Sequence, residues 1–177
     1  MNHVFFIDCL DTMFNENRRK IIEFGHTDVS DDVLDARMQE VGYIDWFENM
    51  PRNDHFIKVT KIIVSEPVVC LISMSLPSFW NLFMPLGNVI KTYTRHYLHK
   101  SCILPYMAEK LYEYGAPNHV LISRNENLIE RWKQAGGIGI RYKSATQTYN
   151  QVKALFDEEP YLVDVEVALP RAGRVPF

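Results

Sequence analysis

Asp8 follows the first apolar run of the chain, in the segment FFIDCLDTMF from Phe5 to Phe14. An aspartate that leaves a buried strand can attack a phosphoryl group and form an aspartyl-phosphate, provided that a divalent cation and a cationic side chain neutralise the charge that builds up. The same residue could instead hydrogen-bond to the turn that follows it. Asp8 is therefore the first candidate residue for a site that handles phosphate.

Polar residues also follow the later apolar runs. Ser73 ends PVVCLIS, and Arg124 and Asn125 come directly after NHVLIS. Ligands of an open α/β sheet bind beyond the carboxyl ends of its strands, so these residues are expected near Asp8. The hydroxyls of Ser73 and Thr12 could hydrogen-bond phosphoryl oxygens, although both residue types also serve local backbone groups.

A lysine could reach the same site from a neighbouring element and balance the phosphoryl charge. Lys110, in EKLYEYGAPNHVLIS, precedes the third of these runs, and Lys100, in RHYLHK, is the alternative. Each could equally be a solvated surface cation. Lys110, with Lys100 as its alternative, is therefore the candidate for the charge-balancing role.

These motifs resemble those of the haloacid dehalogenase-like (HAD-like) superfamily. Asp8 to Phe14, DCLDTMF, is similar to its first motif, which in many members runs Asp-Leu-Asp-Asp-Thr-Leu-Phe. His119 to Tyr142, HVLISRNENLIERWKQAGGIGIRY, resembles the fourth motif and its sequel in the 5'(3')-deoxyribonucleotidase-like branch, which includes phage-encoded members. WFENMPRNDHF, before the second run, is also similar to that branch. The resemblance extends to about Phe156 and implies that Asp8 is the nucleophile, Ser73 the second-motif hydroxyl and Lys110 or Lys100 the third-motif lysine.

Three positions depart from the family pattern. Leu10 stands where the family places its general acid/base, and leucine can neither donate nor accept a proton. Ser123 and Arg124 stand where the family places its metal-binding acids. Only Asp8 would then remain to hold Mg²⁺, which prefers carboxylate and water oxygens. We therefore expect no metal and no other cofactor, and interpret the chain as a nucleotidase-like homologue that has lost Mg²⁺-dependent phosphatase activity.

Arg124 and Asn125 offer another use for the same region. At a helix start they could receive a phosphate or carboxylate on the free N–H groups without any metal. The chain would then be a binding or interaction protein, with an anionic small molecule or a protein as its partner. One alternative is a working phosphomonoesterase on a small phosphate ester or nucleotide, with Mg²⁺ held by Asp8 and either Asp11 or Glu126. The other is an accessory subunit of a larger assembly, such as that of a phage.

The apolar runs alternate with helix-like stretches, which predicts a doubly wound, mainly parallel Rossmann-like α/β sheet, as the HAD-like resemblance also implies. The predicted strands are His3 to Ile7, Pro67 to Ser73, Asn118 to Ser123 and Ile138 to Tyr142. The predicted helices are Asn53 to Val64, Leu104 to Tyr114 with Pro105 in its first turn, Asn125 to Gln134, and Thr146 to Phe156.

The first two predicted strands are too far apart for one crossover helix, which predicts a small helical cap over 15–52, inserted after the first strand. The HAD-like core would then comprise 1–14 and 53–159. Ser30 is the predicted N-cap of a cap helix that carries apolar residues on one face. Large aromatic residues, Tyr43, Trp46 and Phe47, are predicted to pack the cap on the core.

The segment 160–177 is predicted to form a C-terminal edge strand and tail. Its valines alternate with acidic residues in VDVEV, which is the period of a strand with one buried and one wet face. Pro170 and Gly173 then end the strand. The residues from 170 to 177 are either a frayed end or a peptide that docks on a partner.

Composition limits the partners that the chain could have. It has 177 residues, of which 47% are hydrophobic, enough for one domain with a proper core. With 22 acidic and 19 basic residues it has no global attraction to nucleic acid or an anionic membrane, and no segment has the apolar length of a membrane span. Cys9, Cys70 and Cys102 lie in or beside apolar runs, which favours reduced, buried thiols in a cytoplasmic protein.

Overall fold

The centre of the fold is a sheet of five parallel strands. The computed structural model describes residues 3–73, 79–95, 98, 101–106 and 110–157, without the side chains of Asp11, Ser73, residues 79–83 and Tyr106. The strands are β1 (Val4–Asp8), β2 (Val68–Ser73), β3 (Ser101–Tyr106), β4 (His119–Ser123) and β5 (Ile138–Arg141). Their order across the sheet is β3-β2-β1-β4-β5. Every neighbouring pair is parallel, so the carboxyl ends of all five strands lie on one edge.

Helices cover both faces of this sheet. They are α1 (Cys9–Thr12), α2 (Glu16–Phe24), α3 (Asp31–Val41), α4 (Tyr43–Glu48), α5 (Ile57–Thr60), α6 (Phe79–Thr94), α7 (Glu126–Gln134) and α8 (Ala145–Asp157). Two short 3-10 helices span Asp54–Phe56 and Leu111–Tyr114. The predicted α/β fold class, with a parallel Rossmann-like sheet, is confirmed.

Alternate residues of β1 pack against opposite layers of helices. Phe5 and Ile7 belong to a large cluster that includes residues of α5, α6, α8 and of the helices between β1 and β2. Val4 and Phe6 belong to a second cluster with α7. Both faces of the strand are therefore dry, which is why its sequence is continuously apolar instead of alternating.

Two of the predicted helices differ from the structure. Leu104 to Tyr114 is not a helix, because it begins inside β3 and ends as the 3-10 helix Leu111–Tyr114. Among the described strands β3 pairs with β2 alone, so it lies at the edge of the described sheet, where a proline such as Pro105 is tolerated. Asn53 to Val64 is also broken, into the 3-10 helix Asp54–Phe56 and the single turn of α5.

The segment 15–52 leaves the core and returns to it at one point. The backbone N–H of Asn15 donates to the carbonyl of Pro51 at 2.8 Å, and that of Asn53 donates to Met13 at 2.9 Å. The segment contains α2, α3 and α4, and its Trp46 and Phe47 are buried in the same cluster as the sheet residues. The aromatic residues therefore pack the segment on the core as predicted, while the division into core and cap stays a prediction.

Two smaller predictions concern the ends of elements. Ser30 does lie at the N-cap position of α3, but its side chain makes no capping hydrogen bond. The predicted strand and tail over 160–177 lie outside the described residues. Among the described helices, none is long and apolar enough to cross a membrane.

The three cysteines differ in their exposure. Cys9 and Cys70 are buried, as predicted, but Cys102 is exposed because it lies on the edge strand β3. Burial, and then Cys70, raise the pKa of the Cys9 thiol well above its ordinary value. Partial burial also raises the pKa of Cys102, with a smaller contribution from Cys70.

We expect Cys102 alone to react with a thiol reagent such as dithionitrobenzoate in the folded protein. The reaction should be slower than that of a free thiol, because a raised pKa lowers the thiolate fraction. The measurement is the number of thiols modified with and without denaturant, with one expected in the native protein and all three in the unfolded chain. Cys102→Ser is the control and should abolish the native reaction; modification of Cys9 or Cys70 under native conditions would contradict the prediction.

Candidate functional site

Asp8 is the last residue of β1, the central strand, and only 5% of it is exposed. Ser123 ends the neighbouring strand β4 and is completely buried. Its hydroxyl donates a hydrogen bond to Oδ2 of Asp8 at 2.7 Å and accepts one from the backbone N–H of Asn125 at 3.0 Å. The fold thus brings the candidate nucleophile and the serine in the metal-ligand position of the resemblance into direct contact.

The other residues of the first motif have local roles. The hydroxyl of Thr12 is buried and donates to the backbone carbonyl of Asp8 at 2.5 Å, within the single turn of α1. Leu10 is partly buried and packs against the large apolar cluster. The Thr12 hydrogen is therefore already used inside the helix.

The side chains at the start of α7 already have partners within the protein. Asn125 is the N-cap, and its Oδ1 accepts a hydrogen bond from the backbone N–H of Leu128 at 3.1 Å. The carboxylate of Glu126 forms an ion pair with Arg141 at 2.7 Å, and both side chains are largely exposed. Asn125 thus serves the helix as a cap, and Glu126 is bound to a cation of β5.

The remaining candidates are placed less closely. Ser73 ends β2, which pairs with β1, but its side chain and that of Asp11 lie outside the description. Lys110 is exposed at the start of the 3-10 helix that follows β3, and Lys100 lies outside the described residues. Their assigned roles stay predictions.

A cleft of about 610 Å³ lies at the carboxyl ends of β4 and β5. Arg124 directly follows β4, and Tyr142 directly follows β5. Three further cations line the cleft: Arg18 from the first turn of α2, and Arg52 and Lys58 from the segment that follows α4. We call this feature the basic cleft.

Arg124 reaches away from its strand and toward Tyr142. Its guanidinium carbon lies 5.2 Å from the centre of the Tyr142 ring, which is a cation–π distance. Its Nε is buried and has no hydrogen-bond partner among the described residues. One donor of Arg124 therefore stays unsatisfied at the wall of the basic cleft, which is costly unless a further group is bound.

The side-chain amide of Asn53 hydrogen-bonds both to the wall of the basic cleft and to the first motif. The Nδ2 of Asn53 donates to the carbonyl of Thr12 at 2.9 Å and also to the hydroxyl of Tyr142. The backbone N–H of Tyr142 donates in turn to the carbonyl of Ser123 at 2.9 Å. Hydrogen bonds thus connect the wall of the cleft to the residues around Asp8.

Neither a family model nor a curated protein sequence matches this chain. The chain is similar in structure to a protein of Burkholderia xenovorans LB400 described as a haloacid dehalogenase-like hydrolase. The two share 12% sequence identity and superpose with a TM-score of 0.47, over 90% of this chain and 92% of the other.

Sequence reasoning missed Arg18, Arg52 and Lys58. Each looks like an ordinary surface cation, and the sequence places 39 positions between Arg18 and Lys58. Arg18 and Lys58 line the same cleft because backbone hydrogen bonds join the two ends of the segment 15–52, and each residue lies close in sequence to one of those ends. The one available signal was WFENMPRNDHF, which contains Arg52 and which the resemblance had already singled out.

Proposed function

We propose that this chain is a HAD-like nucleotidase homologue that has lost Mg²⁺-dependent phosphatase activity and acts as a binding protein for an anionic small molecule. The observation that carries the proposal is the hydrogen bond from Ser123 to the carboxylate of Asp8 at 2.7 Å. A hydroxyl occupies the side of Asp8 on which the resemblance implies a metal-binding acid.

The residues around Asp8 do not fit a Mg²⁺ ion. This ion is bound through carboxylate and water oxygens in octahedral geometry. Among the described residues no three His, Cys, Asp or Glu side chains form a group that could hold a metal. The hydrogen on Ser123 makes it a donor to Asp8, and the adjacent Arg124 brings a positive charge. These features support a site without a metal, and we derive no catalytic step through one.

The chemistry of aspartyl-phosphate formation also needs a proton donor for the leaving group. The resemblance places that group at Leu10, whose side chain packs into the apolar cluster. Cations, in contrast, are plentiful at the same edge of the sheet. What the region retains is therefore the capacity to bind an anion, which supports a binding function over hydrolysis.

We expect no Mg²⁺-dependent release of phosphate from p-nitrophenyl phosphate or from deoxynucleoside monophosphates. The comparison is with Asp8→Asn, which is nearly isosteric and keeps an oxygen to accept the hydrogen bond from Ser123. Both proteins should release phosphate at the rate of the enzyme-free control. Release that depends on Mg²⁺ and disappears in Asp8→Asn would establish the alternative, a working phosphomonoesterase.

The accessory-subunit alternative relied on the tail 170–177, which lies outside the described residues, and stays a prediction. A pull-down with and without that tail would test it. A binding function in the basic cleft does not need the tail.

A further inference from the structure

We infer that the basic cleft binds a small molecule that carries a chain of phosphate groups, such as a nucleoside triphosphate or an inorganic polyphosphate. This inference rests on the proposed binding function and names its ligand class. It places the ligand beside Asp8 and not on it, because Asp8 is not among the residues that line the basic cleft.

The charge of the cleft favours a multiply charged ligand. Among the described residues its lining contains four permanent cations, Arg18, Arg52, Lys58 and Arg124, against the one carboxylate of Asp54. One phosphate monoester carries a charge of about −1.5 to −2 near neutral pH, which would leave much of this field uncompensated. A ligand with two or three linked phosphate groups matches it better.

The charges of the four cleft cations are not neutralised by carboxylates of the described residues. No ion pair joins any of them to a carboxylate within the described part of the chain. The contrast is clear within α2, where the next two residues after Arg18 are both paired: Arg19 with Glu23 at 2.9 Å, and Lys20 with Glu16 at 3.0 Å. Arg18 is thus the unpaired cation in a row of three.

Further hydrogen-bond donors at the cleft add direction to this charge. The Nε of Arg124 is buried and has no partner among the described residues. α8 begins at the cleft, where the hydroxyl of Ser144 accepts from the N–H of Gln147 at 3.2 Å. Ala145 and Thr146 line the cleft, and N–H groups in the first turn of a helix have no partner within that helix. Such groups hydrogen-bond well to phosphate oxygens.

The size of the cleft agrees with a ligand larger than one phosphate group. Its volume of about 610 Å³ lies within the range of sites for small molecules, about 300 to 1,000 Å³. The cations come from different parts of the chain and line one cleft. A chain of phosphates could contact several of these groups together.

The test is isothermal titration of the full chain with tripolyphosphate, ATP and inorganic phosphate. Tripolyphosphate and ATP should bind at least about tenfold more tightly than phosphate, and added salt should weaken binding because it screens exposed charges. Arg18→Gln/Lys58→Gln should weaken the binding of both by at least about tenfold, because it removes two charged donors to the phosphate chain. Both side chains are exposed, so the fold should tolerate the change.

Further variants separate a site from a general charge effect. Lys91→Gln/Lys153→Gln removes the same charge from exposed positions outside the lining and should leave binding unchanged. Arg52→Gln/Arg124→Gln alters the other two cations and should also weaken binding.

The outcomes are distinct. Equal binding of ATP and tripolyphosphate would identify the phosphate chain as the recognised group, and tighter binding of ATP would identify a nucleotide. Unchanged affinity in both cleft variants, or no binding of either probe, would overturn the inference. So would an oligonucleotide that binds more tightly than ATP with the same dependence on the cleft cations. Phosphate release that needs Asp8, with normal cleft binding, would contradict the proposed function and leave this inference standing.

Discussion

Replacing Trp132 with alanine is expected to lower the free energy of unfolding by about 3 to 5 kcal/mol. The indole is completely buried on the face of the sheet that α7 covers, and its ring centre lies 4.9 Å from that of Phe6 in β1. Its Nε1 donates to the carbonyl of His119 at 3.2 Å. The substitution therefore removes a large apolar volume and also leaves a backbone carbonyl without its donor.

Chemical denaturation with urea measures this effect, and Tyr112→Ala is the matched control. Tyr112 is also aromatic and near α7, but 39% of it is exposed and it stacks on Arg131. Its loss should cost less than about 1 kcal/mol, as exposed contacts usually do. A loss for Trp132→Ala no larger than that for Tyr112→Ala would show that α7 is not anchored as described.

The packing of Trp132 also explains why one stretch of sequence was so informative. A Cβ added to Gly137 would lie 2.2 Å from Nε1 of Trp132, and one added to Gly115 would lie 3.1 Å from the Trp132 carbonyl. The tryptophan of α7 and the glycine before β5 therefore depend on each other sterically. In the sequence, a tryptophan is followed by Ala-Gly-Gly and then by a strand, and this order reflects the steric contact. The ends of both α7 and β5 were predicted to within two residues.

The strands were predictable for a related physical reason. β1, β2 and β4 are central, and burial on both faces makes their sequences continuously apolar. β3 lies at the edge, where only one side is paired and where Pro105 is permitted. Its pattern is weak, so a proline suited to a first helical turn misled the prediction.

The candidate site was predictable only in part. Asp8 and Ser123 end adjacent parallel strands, so their proximity follows from the sheet order alone. Arg18 and Lys58 belong to short helices outside the sheet, and no periodicity distinguishes a cation in a cleft from one in solvent. Their placement in one cleft depends on the hydrogen bond between the backbones of Asn15 and Pro51, which is a tertiary contact.

Replacing Ser123 with alanine is expected to cost about 2 to 3 kcal/mol of stability, because it removes a buried hydrogen bond to the Asp8 side chain and leaves the N–H of Asn125 without its acceptor. The hydroxyl serves two partners at once, since it donates to Asp8 and accepts from the N–H of Asn125. Ser65→Ala is the control for the loss of a hydroxyl. Ser65 is exposed, so its replacement should change stability by less than about 0.5 kcal/mol.

Asp8→Asn decides whether this cost comes from the carboxylate. An asparagine oxygen can still accept the hydrogen bond from Ser123, but a bond to a neutral acceptor is worth only about 1 kcal/mol. In the Asp8→Asn background, Ser123→Ala should therefore cost clearly less than in the native chain, and the difference measures the coupling of the two side chains. An equal cost in both backgrounds would mean that Ser123 does not stabilise an ionised Asp8.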